Sequence, residues 1–227
     1  MSIVLAFVVP VIAVAFWWLI RQGVMSKPWL ETGLPEAVPV RSAEHVGLGI
    51  FLAVVGCLFA LFGSAFVMRM DVGTWSSLRL PPIVWANTAQ LVLASLFLHL
   101  AFVSAKRGDR AGPRRDMTIA ALATVGFLLG QLLAWRELTM EGGGLTTSPA
   151  ASFFYLLSGL HALHILGGLA ALGLVMSRGG ADGGRLRLGI GLCVAYWDFL
   201  LVVWLGLLVL FLGWANRFVE ICRGVLT

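Results

Sequence analysis

Six stretches of this chain stay apolar for 18 residues or more: 3–20, 46–68, 82–105, 117–135, 150–176 and 188–215. Crossing the hydrocarbon of a bilayer takes about 20 residues of helix, so each run predicts a membrane-spanning helix. None shows the period-2 alternation of a membrane β-strand, which excludes a barrel. The longest connection, 21–45, is too short for a soluble domain. The pattern therefore predicts an all-α membrane protein, a six-helix transmembrane bundle. The first run reads as a retained helix and not a signal peptide, because no positive residue precedes it and Arg21 follows it.

The connections carry local signals. Thr146-Thr147-Ser148-Pro149 predicts a helix start with Ser148 as N-cap and Pro149 in the first turn. Gly126 and Gly130 make a GxxxG pair on the fourth run, and Ser158 with Ala162 a small-xxx-small face on the fifth. Such faces let helix backbones approach closely. Pro28, Pro35 and Pro39 place the 21–45 connection along the membrane surface.

Charge fixes an expected orientation. Arg21, Lys27 and Arg41 lie in the first connection, Lys106, Arg107, Arg110, Arg114 and Arg115 in the third, and Arg178, Arg185 and Arg187 in the fifth. Only Arg69, Arg79, Arg136, Arg217 and Arg223 fall on the other side. Basic residues collect on the cytoplasmic side, so both termini are expected outside. The net charge of +5 is thus a topology signal. It forms no stripe on a soluble face, so no nucleic-acid partner is expected. Cys57, Cys193 and Cys222 stand far apart, in no metal-binding spacing, and read as structural.

Ionisable side chains inside apolar runs are the candidates for chemistry, because they are costly there. His161 and His164 lie three apart, on one face of the fifth helix. Haem ligation by both is disfavoured, since bis-His iron takes its ligands from opposite faces, and His45 and His99 lie at other depths. Asp198 in the sixth run is the only carboxylate well inside a span. It is expected to bond the imidazole of His164, at a similar depth on the neighbouring helix, or failing that His161 or His99. These four residues, His161, His164, Asp198 and His99, are expected to form a structural polar core. A proton relay from surface to surface has too few members. Trp17, Trp18, Trp75, Trp85, Trp135 and Trp214 read as interface anchors, and Glu137 as an interfacial charge beside Arg136 or a lipid headgroup. No phosphate loop, Ser/His/Asp set or CxxCH is present, so no reaction follows from the residues alone.

Four segments together resemble subunit III of the haem–copper terminal oxidases: Leu80-Pro-Pro-Ile-Val-Trp-Ala-Asn-Thr followed by Ala94-Ser95; Gly130-Gln-Leu-Leu-Ala-Trp-Arg-Glu; Ser158-Gly-Leu-His-Ala-Leu-His; and Tyr196-Trp-Asp-Phe-Leu-Leu-Val-Val-Trp204. The resemblance covers about 46–215. It departs from the family at Asp198, where the family has His, at Leu201, where it has Asp, and at Val55, where it has a carboxylate. Residues 1–45 then form an extra helix and cytoplasmic loop, 46–215 a subunit III-like five-helix bundle, and 216–227 an external tail.

The resemblance implies an accessory subunit with no catalytic residue and no metal of its own, the haem and copper belonging to partner subunits. Its partners would be the catalytic haem–copper subunit I, subunit II and membrane lipids, with a bound phospholipid. Trp135, Arg136, Glu137, Trp197 and Trp204 are the lipid and interface candidates. The implied function is support of aerobic electron transport, O2 reduction coupled to proton translocation, in a bacterial inner membrane. The rival readings are an accessory protein of nitric oxide reductase and a small transporter. No pair of broken helices supports the transporter.

Overall fold

The computed structural model describes residues 43–70, 80–109, 111–141, 144, 148–178 and 183–212, which hold five helices. They are α1 (Ala43–Met70), α2 (Ile83–Lys106), α3 (Gly112–Met140), α4 (Pro149–Arg178) and α5 (Gly183–Phe211). Each is long and apolar enough to cross a membrane, so the chain is a multi-pass membrane protein. The expected first helix at 3–20, both termini, Trp17, Trp18, Trp75, Trp214 and Cys222 lie outside the described residues.

The helix boundaries have local causes. α2 starts directly after Pro81-Pro82, whose fixed φ suits a first turn. It ends in a turn where Gly108 adopts φ 77°, the left-handed C′ position that glycine fills without a steric penalty. Asp109 then accepts the Ala111 N–H at 3.1 Å and leads into α3. α4 starts as expected, with the Ser148 hydroxyl accepting the Ala151 N–H at 3.2 Å and Pro149 in the first turn. α3 runs beyond its apolar stretch at both ends, because Arg114, Arg115, Arg136 and Glu137 continue the helix where polar residues tolerate it.

α2 and α3 share the most extensive helix–helix interface. Gly126 and Gly130 on α3 make this possible: a Cβ at either would overlap the carboxamide of Gln90 or Asn87 on α2. α5 packs on α2 and α4, α4 on α3, and α1 on α5 and α4. One core cluster joins α2, α3 and α5 with Ile165 and Leu172 of α4. A second gathers Val55, Phe59 and Phe66 of α1 around Phe154, Leu157, Leu207 and Phe211.

Candidate functional site

The motif residues of four helices meet through one repeated device. A hydroxyl donates to the carbonyl one turn back on its own helix and accepts an indole N–H from a neighbour. Trp204 Nε1 donates to Thr88 Oγ1 at 3.0 Å, and Thr88 donates to the Val84 carbonyl at 2.9 Å. Trp197 Nε1 donates to Thr124 Oγ1 at 3.2 Å, and Thr124 to the Ala120 carbonyl at 2.8 Å. Trp135 Nε1 donates to Ser158 Oγ at 3.0 Å, and Ser158 to the Phe154 carbonyl at 2.5 Å. These clasps tie α5 to α2, α5 to α3, and α3 to α4. Each hydroxyl both donates and accepts, so no polar group of the clasp is left bare in an apolar interior.

Trp197 and Trp204 are therefore not lipid or interface residues. They are 2% and 1% exposed, in the centre of the core, because their indoles find hydroxyl partners on neighbouring helices. Gly168 on α4 leaves room for this, as a Cβ there would press on Tyr196 and Trp197 at 2.7–3.1 Å.

His161 lies beside Trp204, fully buried. Its ring stacks on the indole at a centroid distance of 5.3 Å, and Phe127 and Phe59 meet it edge-on at 5.8 and 6.2 Å. Among the described residues, neither ring nitrogen has a hydrogen-bond partner. His164, one turn on, bonds the Leu160 carbonyl through Nδ1 at 2.8 Å, and its own carbonyl accepts the Tyr196 hydroxyl at 2.8 Å. The two histidines share a helix face and the Phe59 ring, 6.2 and 5.5 Å away, but His161 is fully buried and His164 is not. A further buried contact crosses α2 and α3, where Asn87 Nδ2 donates to Gln131 Oε1 at 3.3 Å.

Asp198 takes neither His164 nor His161. Its Oδ1 accepts the Ser95 hydroxyl at 2.6 Å, and its Oδ2 lies 3.4 Å from His99 Nε2. The His99 Nδ1–H donates to the Ser95 carbonyl at 3.0 Å. This cluster is not in the core either. The His99 and Asp198 side chains are 50% and 43% exposed, on the outward faces of α2 and α5. The reason is rotational: position 198 points toward α2, one residue off the buried face that Trp197 and Trp204 define. A polar side chain at mid-span of a membrane helix is costly unless it is paired.

At the far end of α3, Trp135 is half-buried and Arg136 exposed. Among the described residues, no ion pair joins Arg136 to Glu137. Trp85 stands exposed in the first turn of α2. At the opposite end, the Asp116 carboxylate is buried and held by Arg115 at 3.1 Å. Arg114 donates to the Met176 carbonyl at 3.4 Å, binding the start of α3 to the end of α4. The residues missed by sequence reasoning are Thr124 and Asp116. A threonine inside an apolar run gives no signal unless its indole partner is known. No three His, Cys, Asp or Glu side chains come together as a metal site among the described residues.

Comparison with known proteins places these motif residues in a family. The model of the family described as cytochrome c oxidase subunit III matches residues 3–216, a stretch that includes the first apolar run as well as the bundle. A cytochrome c oxidase subunit 3 of Synechocystis is 31% identical over 175 residues, 72% of this chain and 72% of that protein. Probable cytochrome c oxidase subunits 3 of Mycobacterium bovis and Nocardia farcinica are 32% and 33% identical, each over 71% of this chain and 83% of their own. With the family model matching residues 3–216 and relatives above 30% identical over more than two thirds of the chain, the chain belongs to the cytochrome c oxidase subunit III family.

Proposed function

We propose that this chain is an accessory subunit, without a redox centre of its own, of a haem–copper respiratory oxidase in a bacterial cell membrane. It packs on the catalytic subunit and supports O2 reduction coupled to proton translocation by that neighbour. The family match across 3–216 carries this reading. The geometry agrees with it: the histidine, tryptophan and hydroxyl side chains of the motifs are engaged in holding helices together. Carboxylates at positions 55 and 201 would be needed for a part in proton uptake on the family pattern; here Val55 is buried in an apolar cluster and Leu201 packs against another. The orientation has the α2–α3 turn in the cytoplasm and both termini outside. Arg136, exposed at the outer interface, suits a phospholipid phosphate.

The test is purification of the tagged chain from its native membrane in mild detergent. A haem–copper catalytic subunit is expected to co-purify, and the separated chain to show no Soret band. A stoichiometric haem spectrum in the separated chain would overturn the reading. Co-purification with a nitric oxide reductase would replace it by that rival. Reporter fusions after Lys106 and after Thr227 check the orientation, and an external signal from the first would reverse it.

A further inference from the structure

His99 and Asp198, both bonded to the buried Ser95, are a polar pair that the bundle leaves half uncovered, and its depth says what covers it. Asp198 stands 15 residues from the first residue of α5 and 13 from the last, about 20 Å from either end at 1.5 Å per residue. Ser95 is likewise central in α2, 12 residues from Ile83 and 11 from Lys106. Lipid headgroups do not reach that depth, and acyl chains offer no hydrogen bond. Yet both imidazole and carboxylate are about half open to the surroundings, at 50% and 43%. The one apolar run of this chain outside the described residues, 3–20, has no polar side chain before Trp17 and Trp18 near its end. It has nothing to offer a carboxylate at mid-span.

The flanking surface has the form of a helix seat. On α2 the outward positions 92, 96, 99 and 103 follow a 4-3-4 spacing, and on α5 positions 198, 202 and 205 continue it as 4-3. Apart from the polar pair these are Val92, Leu96, Val103, Val202 and Leu205, exposed by 41–67%. Spacing of this kind is the seam on which a further helix packs. We infer that the α2/α5 face centred on Asp198 and His99 is the docking surface for a transmembrane helix of another subunit that presents a hydrogen-bond donor at mid-span. The carboxylate supplies the complementarity: Ser95 and His99 satisfy one side of each oxygen, and the open side accepts from the partner. A half-exposed carboxylate that would be a defect against lipid becomes a register mark against protein. The inference rests on the reading of this chain as a subunit of a membrane complex.

The photo-crosslinking residue p-benzoylphenylalanine at Val202 or Leu96, in the tagged chain within its native membrane, tests it directly; the same residue at Leu163 on α4 is the control. Irradiation is expected to yield an adduct from 202 and 96, mapped to a transmembrane segment of another subunit with a polar residue within one turn. Adducts only with lipid, with residues 1–42 of the same chain, or with a second copy of it would overturn the inference. If the co-purifying subunit is not a haem–copper protein but the adduct forms, the oxidase reading fails and the docking surface stands. If the oxidase co-purifies and only Leu163 yields a subunit adduct, the docking surface fails and the oxidase reading stands. Asp198→Leu is expected to lower retention of the chain in the detergent-solubilised complex at least tenfold. Asp198→Asn, which keeps an acceptor, is expected to lower it by no more than threefold. Equal retention of Asp198→Leu and the unaltered chain would also overturn the proposal.

Discussion

Two polar groups in this bundle sit a few residues apart in sequence and under opposite conditions. Trp197 and Trp204, with His161, are closed inside; Asp198, between them on α5, faces out with His99. The inner group is bounded by aromatic rings and by hydroxyls already committed to their own backbone. It has reach to nothing beyond the chain. The outer group satisfies itself only in part, and its open half lies where lipid provides no partner. A single helix thus carries the joint of this fold and a contact for another on faces one residue apart. Polarity in a membrane helix therefore does not by itself separate internal glue from an external contact; rotation about the helix axis does.

The contrast can be broken most severely at the close approach beneath the inner group. Gly130→Leu forces the Asn87 carboxamide off α3 and should cost about 3 kcal/mol or more by overpacking. The expected outcome is loss of folded chain from the membrane, measured as accumulation and as monodispersity in detergent. Trp204→Phe keeps the ring but removes the N–H to Thr88, and should cost about 1–2 kcal/mol. Thermal unfolding of the purified complex reads this, and adding Thr88→Val should recover part of the loss if the clasp is the cause.

His161→Leu sharpens the comparison from the other direction. Both ring nitrogens are buried without hydrogen-bond partners among the described residues, so an apolar replacement of similar volume removes a desolvation penalty as it removes a stacked ring. Stability should change by less than about 1 kcal/mol, in either direction. A loss well beyond that would mean the imidazole is bonded in the membrane. The smallest effect is expected at Arg136→Ala, within about 0.5 kcal/mol for an exposed side chain. If it depends on added anionic phospholipid, the headgroup contact is supported.

Five spans were legible because uninterrupted apolar length is a strong signal, and the Ser148-Pro149 start of α4 because capping chemistry is local. The ends of α3 were not, since Arg114 and Glu137 end an apolar pattern without ending a helix. Depth along a helix is legible too, which singles out Asp198 and makes His164 its expected partner. Rotational phase was not. The choice between His164 and His99 depends on which neighbour position 198 faces, and that is set by packing of Gly168 against Tyr196 and Trp197. The same ignorance of phase put Trp197 and Trp204 among the lipid candidates. Thr88 and Thr124 matter through indoles more than 70 residues away, a relation that one sequence does not display.

α1 buries the smallest share of its apolar window of the five helices, 17%, and packs more extensively on α4 and α5 than on α2, its neighbour in sequence. During synthesis this reverses the usual advantage of coming first. α2 and α3 can pair as soon as both are inserted, through a turn of a few residues. α1 must wait in the bilayer until the last two helices leave the ribosome, at about 5–20 residues per second. In the finished fold Phe59 and Phe66 of α1 pack in an apolar cluster with side chains of α4 and α5. α5, the last helix, brings Trp204 against His161 and Asp198 against His99. An unfinished chain would lack all of these contacts at once, leaving a quality-control protease a simple distinction between complete and truncated copies.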